Sequence, residues 1–264
     1  MYAVTPQETR DFSVRLNPDQ LHFPLLKSMI QGDIKATFYM DDQTEPTAML
    51  VIGDNNWCYA LGDFDTSRFQ EKALTFLTDQ IQEGARPLLW FGITDHTKKL
   101  LEETVGIQVG DYPRYTFKFS PNQFKPITQE QSGFTLEPIN EDNIDSFIPL
   151  YEGFFFYWTS KDRFLAKGQG VVAKSEGQIL GYAVGASVAD GEVEMDLFTD
   201  KDHRGKGVSS LLTSKLIETC LAAGLKPKWD CAVANEASIR LAKKNGFEIV
   251  GEYGFGYVYG GEAS

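Results

Sequence analysis

Two hydrophobic periods alternate along this chain, and the order in which they alternate occurs twice. In "GQGVVAKSEGQILGYAVGASVADGEVEMDLFT" (168–199) apolar residues come in short runs or at every second position, interrupted at Glu176-Gly177 and Asp190-Gly191. This pattern predicts three strands joined by tight turns. Val208, Leu211, Leu212, Leu216, Cys220 and Leu221 then mark one face of a helix that should stop at Gly224. A strand, "KPKWDCAV", a helix, "NEASIRLAKKNGF", opened by Asn235 and closed by Gly246, and the final strands of "FEIVGEYGFGYVYG" complete this half. Ahead of them, 134–138 reads as a short strand and "NEDNIDSFIPLYEGFFFYW" as a helix beginning with capping-type residues.

The N-terminal half follows the same order. "KATFYMDDQTEPTAMLVIGDNNWCYALGDF" predicts three strands with turns at Asp41-Asp42 and Asn55-Asn56. "SRFQEKALTFLTDQIQEG" is a helix ending on Gly84, "RPLLWFGIT" a strand, "DHTKKLLEETVG" a helix and "YPRYTFKF" a last strand. Each half should therefore be a mixed α/β sheet. The repetition points to an internal duplication, although strand–helix alternation also recurs by chance in α/β chains. Between the halves "FSPNQFKPITQEQSGF" carries two prolines and no apolar period. The expected division is 1–120, a linker at 121–133, and 134–264.

Composition adds bounds. Of 264 residues 42% are apolar and 13% aromatic, enough for one or two packed cores. A formal charge of -12 argues against nucleic acid or an anionic membrane as partner, because phosphate neutralisation needs a basic face. Cys58, Cys220 and Cys231 are odd in number and lack ligand spacing with His22, His96 or His203, so they read as buried small hydrophobes and no metal site is expected. No export signal or bilayer-spanning run is visible, and the expected setting is cytoplasmic.

Against that acidic background "FTDKDHRGKGVSSLL" (198–212) gathers Lys201, His203, Arg204 and Lys206 around Gly205 and Gly207, between a strand and a helix. A helix N-terminus presents unpaired N–H groups and partial positive charge, glycines let backbone approach a ligand, and Arg204 and Lys206 add formal charge. The loop is a candidate anion site. Neither a Walker nor a dinucleotide glycine pattern is present, which leaves a pyrophosphate-bearing ligand other than ATP or NAD. Glu192, Glu194 and Asp196 alternate with apolar residues just upstream and share one strand face, as a solvated face would also do.

These residues resemble the acyl-CoA motif of the GNAT superfamily of N-acetyltransferases: Arg204, Gly207 and Ser209 fall on its Arg/Gln, Gly and Gly/Ala positions, with Ser209 a small departure. Asn235, Ser238, Gly246 and Phe247 resemble the second motif of the family. The likeness covers about 134–259, and "WDC" further resembles a branch that includes the zwittermicin A resistance acetyltransferase.

The resemblance implies direct acetyl transfer from acetyl-CoA, as cosubstrate, to a primary amine of a small molecule or peptide. It implies that Arg204, Gly205, Lys206, Gly207, Val208 and Ser209 bind the CoA pyrophosphate. Leu197, Phe198 and Thr199 would pair with the pantetheine arm and polarise the thioester, and Asn235 and Ser238 would line the other wall. Glu194 is the first expected base and Asp196 the second. The tyrosine that many members use to protonate the departing thiolate is Ala242 here, leaving Tyr253, Tyr257 or Tyr259 as replacements, with Tyr253 taken first, or unassisted departure. The N-terminal half, "DFDTSRF" in place of the basic loop, is expected to be a degenerate copy that covers the acceptor site or forms a homodimer surface. Two other classes stand beside the enzyme: an acyl-CoA sensor or pseudoenzyme without turnover, which Ala242 favours, and an interaction protein using the loop for another anion. "EGFFFYW" (152–158) is a candidate acceptor wall, though such runs are more often core.

Overall fold

The computed structural model describes residues 1–15, 24–66, 68–84, 86–104, 106–128 and 133–261. The first stretch runs β1 (Tyr2–Val4), α1 (Pro6–Arg15), α2 (Pro24–Ile30), β2 (Ala36–Met40), β3 (Ala48–Gly53), β4 (Trp57–Gly62), α3 (Arg68–Gln82), β5 (Leu88–Phe91), α4 (Asp95–Glu102), β6 (Ile107–Asp111) and β7 (Arg114–Phe119). The second runs β8 (Thr135–Pro138), α5 (Ile144–Phe147), α6 (Phe154–Tyr157), α7 (Lys161–Lys167), β9 (Gly170–Ser175), β10 (Gln178–Ala189) and β11 (Glu192–Thr199). It ends with α8 (Val208–Ala222), β12 (Lys226–Ala232), α9 (Glu236–Lys244), β13 (Phe247–Tyr253) and β14 (Phe255–Gly260).

Two compact units result, Met1–Tyr115 with Gly251–Ser264, and Thr116–Val250. The sheet of the first has the order β1-β2-β3-β4-β5-β14-β6, and that of the second, read from its other edge, β8-β9-β10-β11-β12-β7-β13. Strand for strand the two orders coincide, with β14 and β7 exchanged. Each half ends, in chain order, on a strand that completes the sheet of the other, so the units differ from a division at 121–133. Just ahead of that segment Ser120 N–H bonds Gly246 O at 2.8 Å, within it Ile127 N–H bonds Ser214 Oγ at 2.8 Å, and 129–132 lie outside the described residues. The two mixed sheets bear out the α/β expectation.

Local chemistry explains the elements. Glu176-Gly177 and Asp190-Gly191 all have positive φ (49°, 82°, 50° and 72°), the requirement of a two-residue hairpin turn whose twist matches its strands. Asp41 and Asp42 hold a longer loop than the two-residue turn expected, accepting N–H bonds from Thr47 and Ala48 and from Thr44 and Glu45. The single helix expected over 140–158 is broken into α5, a 3-10 turn at Ile148–Leu150 and α6, because Pro149 offers no N–H and bars a continuous ladder. On α8, Ile217 is buried and Leu221 lies 38% exposed, so the apolar face is rotated from the one predicted. β1, α1, α2 and β6 have no counterpart in the sequence-based expectation.

In the second unit, α5, α6 and α7 cover one sheet face through Phe147, Tyr151, Phe154, Trp158 and Phe164 against Val172, Tyr182 and Val184. α8 covers the opposite face: a side chain at Gly181, one position from Tyr182, would stand 3.3 Å from Leu212. The buried indole of Trp158 donates to Gly185 O at 3.1 Å, beside a bulge where β10 shifts register between Gly185 and Ser187. The three cysteines are buried and form no disulfide, as small hydrophobes would be placed. No helix among the described residues is long and apolar enough to cross a membrane.

Candidate active site

β11 and β12 run parallel for three residue pairs, Glu192↔Lys226, Val193↔Pro227 and Glu194↔Lys228, and then part, whereas β10 follows β11 as far as Thr199. Leu197, Phe198 and Thr199 therefore lie beyond the last pair with β12. Thr199 Oγ1 meets Ser209 Oγ at 2.8 Å, and Arg204 Nε donates to Thr199 O at 3.0 Å, so strand end, loop and first turn of α8 are one assembly. Asp200 accepts from Asp202 N–H (2.9 Å) and faces His203 Nδ1 (3.4 Å); these contacts, the backbone bond first, hold its carboxyl below the usual range.

Gly205 and Gly207 have φ of 75° and 83°, and a side chain on either would meet nothing within 4 Å. Backbone conformation, not crowding, is what asks for glycine there. Gly207 caps α8 with no side-chain hydrogen bond, no acid stands in the first turn, and Arg204 and Lys206 are exposed. A fifteen-residue helix thus presents an open, cation-flanked N-terminus, suited to an anion. Lys244, from the end of α9, reaches Ser210 Oγ at 3.1 Å and adds a cation to this turn. Across the gap Asn235 caps α9 by accepting from Ser238 N–H at 3.1 Å, and Ser238 Oγ accepts from the Trp229 indole at 3.1 Å. Ala242 is fully buried.

The opposite side of the gap is anionic and aromatic. Asp196 accepts from the Tyr151 hydroxyl at 2.9 Å through Oδ2 and from Leu197 N–H at 2.8 Å through Oδ1. Tyr151 stacks on Tyr157 (5.7 Å between centroids, 12°) and packs against Tyr182 (5.2 Å), which stacks on Phe198 (5.6 Å). A hydrogen bond joins the Tyr151 and Tyr157 hydroxyls. Burial first, and then the charges of Asp196, Glu194 and Asp230, raise the Tyr157 phenol above the usual tyrosine range. Burial and Asp196 do the same to Tyr151 and Tyr182. These hydroxyls stay neutral, and that of Tyr151 donates to Asp196. Glu192 is turned to another partner, Lys228 at 3.7 Å.

The structure thus brings Glu194, Asp196, the strand end, the loop and the Asn235–Ser238 turn into one unit. Tyr253 falls in the segment assigned to the other unit. Sequence reasoning missed Tyr151, Tyr182, Asp230 and Lys244, and weighed Tyr157 as core. Buried tyrosines differ from phenylalanines in needing a partner for the hydroxyl, and that was the available signal. Among the described residues no group of three His, Cys, Asp or Glu is placed to hold a metal ion.

A family model described as GNAT acetyltransferase matches residues 19–255. The chain belongs to the GNAT acetyltransferase family. This GNAT chain is 27% identical over 227 residues, 86% of its length and 87% of the relative's, to the uncharacterized N-acetyltransferase YdfB of Bacillus subtilis strain 168. Its fold is similar to a GCN5-related N-acetyltransferase-like protein from Streptococcus suis 89/1591 (TM-score 0.74, 22% identity, 96% and 98% of the two chains covered). It is also similar to a tandem GNAT protein from the clavulanic acid biosynthesis pathway (TM-score 0.60, 12% identity, 91% and 88% covered). The tandem GNAT-like arrangement inferred from strand order agrees with both.

Proposed function

We propose that the second unit is an N-acetyltransferase that moves the acetyl group of acetyl-CoA to a primary amine. One observation carries this reading: β11 and β12 part at Glu194, immediately ahead of an open, cation-flanked helix N-terminus. Arg204, Gly205, Lys206, Gly207, Val208 and Ser209, with Lys244 beside them, would hold the pyrophosphate. The backbone of Leu197 to Thr199 would receive the pantetheine arm, and Asn235 and Ser238 would form the far wall.

The acceptor arrives as an ammonium and must lose a proton before its nitrogen has a lone pair. Glu194 takes that proton, directly or through a water; Asp196 is the second choice because Tyr151 and Leu197 already occupy its oxygens. The nitrogen then attacks the thioester carbonyl, the oxyanion is stabilised by backbone N–H groups of the strand end, and the C–S bond breaks as the attacking nitrogen gives its second proton to water, leaving amide and CoA thiolate. For Leu197 N–H to serve the oxyanion, Asp196 has to release it and lean on Tyr151 alone. The thiolate leaves unassisted, which a thiol pKa of about 8.5 permits. The acceptor is a small-molecule or peptide amine drawn by Glu194, Asp196 and Asp230; the setting is cytoplasmic, and a homodimer is compatible with this scheme.

A second reading, an acyl-CoA sensor without turnover, is favoured by Ala242. Thiol release with acetyl-CoA and a panel of amines tests both. Amine-dependent release supports the enzyme. A thermal shift with acetyl-CoA but not pyrophosphate, without release on any amine, supports the sensor. No shift and no release would overturn both.

A further inference from the structure

The first unit contains the same parting of strands. β4 and β5 run parallel through Trp57↔Leu89, Cys58↔Trp90 and Tyr59↔Phe91, and β4 continues to Gly62 beside β3 without β5. A cavity of about 370 Å³ opens there, at the small end of the range for ligand pockets. No Lys, Arg or His among the described residues lines it; Asp63, just ahead of the 3-10 turn that takes the place of the basic loop, and Asp65, on that turn, do. Asp65 is set by buried partners: Gln70 Nε2 (3.0 Å) and Thr97 Oγ1 (2.8 Å) both donate to Oδ1, and among the described residues Oδ2 has no partner. Phe64, Trp90 and Phe91 contribute aromatic walls. Trp90 is 1% exposed, and its indole N–H finds no acceptor among the described residues.

We infer that this cavity is a second small-molecule site, for an organic cation that carries a hydrogen-bond acceptor. Aromatic walls and an oriented carboxylate attract an ammonium and repel a phosphate. An acceptor oxygen on the ligand would satisfy the Trp90 indole N–H, a donor that folding leaves buried and without an acceptor among the described residues. The duplicated cleft has thus kept its shape and reversed the charge it selects. This inference is independent of catalysis in the second unit.

The test uses the full chain carrying Glu194→Gln and Asp196→Asn, so that the acidic site of the second unit does not report. Choline, ethanolamine, tetramethylammonium and putrescine are titrated by calorimetry, with pyrophosphate as the anionic control. Choline or ethanolamine is expected to bind one to one with Kd below about 1 mM, weakened tenfold or more by Asp65→Asn. Trp90→Phe should weaken the two hydroxylated amines more than tetramethylammonium. Should Asp65→Asn not fold, the Trp90 indole N–H resonance, assigned by Trp90→Phe, is followed in the otherwise unchanged chain and should move with choline but not with pyrophosphate. Absence of binding by every cation, binding indifferent to Asp65→Asn, equal losses for all cations in Trp90→Phe, or an unmoved indole resonance would overturn the inference.

Discussion

The two clefts are built by one rule and furnished by two. In each, a parallel pair holds for three residues and then parts, and the last paired residue stands at the parting: Glu194 in one, Tyr59 in the other. Beyond it, one unit offers left-handed glycines, Arg204 and Lys206 at the head of α8, while the other offers Asp63 ahead of a 3-10 turn and Asp65 within it. Register sets the shape, and a handful of loop residues sets the charge. A side-chain difference of this kind outweighs the helix terminus itself: a helix dipole contributes about 0.3–1 kcal/mol to a nearby anion, a charge-assisted hydrogen bond about 1.5–3 kcal/mol.

Glu194 and Tyr59 give the strongest way to break the comparison. Glu194→Gln should lower amine-dependent thiol release about 100-fold or more while the thermal shift with acetyl-CoA persists, and Tyr59→Phe should leave release within about twofold. Equal losses would mean that the first cleft takes part in the chemistry. Next in size, Arg204→Ala and Lys206→Ala should each raise the KM for acetyl-CoA about tenfold, with the Asp63→Ala control unchanged in the same assay. Tyr253→Phe, in the segment of the other unit, should leave kcat within about twofold, as unassisted departure of the thiolate requires; a drop of about tenfold would count against it.

The buried tyrosines sharpen the contrast through pH. Tyr151, Tyr157 and Tyr182 have folded pKa values raised above the unfolded value of about 10, so the stability they contribute is complete below pH 10 and lost as pH rises beyond it. Thermal midpoints should fall above about pH 10, and Tyr157→Phe should flatten that fall. The smallest effect is expected at the other extreme. Asp42, lowered to about 2 by N–H bonds from Glu45 and Thr44 and the Thr44 hydroxyl, supports its loop above the ordinary carboxylate range and releases it as pH falls toward 2. Asp42→Ala should remove that acid-limb contribution, read as a shallower loss of midpoint below about pH 4.

Much of this was legible in the chain. Hairpins at Glu176-Gly177 and Asp190-Gly191, the start of α8 at the second glycine, and the Asn235 cap all follow from local rules that leave a mark on adjacent residues. Strand exchange leaves none: "YPRYTFKF" and "GFGYVYG" read as strands whichever sheet receives them. The broken helix over 140–158 was signalled by Pro149 but overridden by aromatic spacing. The bond from Tyr151 to Asp196 joins residues 45 apart in sequence, a distance no periodicity spans. Local conformation could be read; partners chosen by tertiary packing could not.

The exchanged strands also set a timetable for synthesis. A chain leaving the ribosome exposes β5 and β6 long before residues 255–260 emerge to fill the place between them. All of Thr116–Val250, by contrast, is available before β14 has been translated. The half made first is thus the half completed last, and until then it presents two open strand edges that a chaperone, or a neighbouring nascent copy, can occupy.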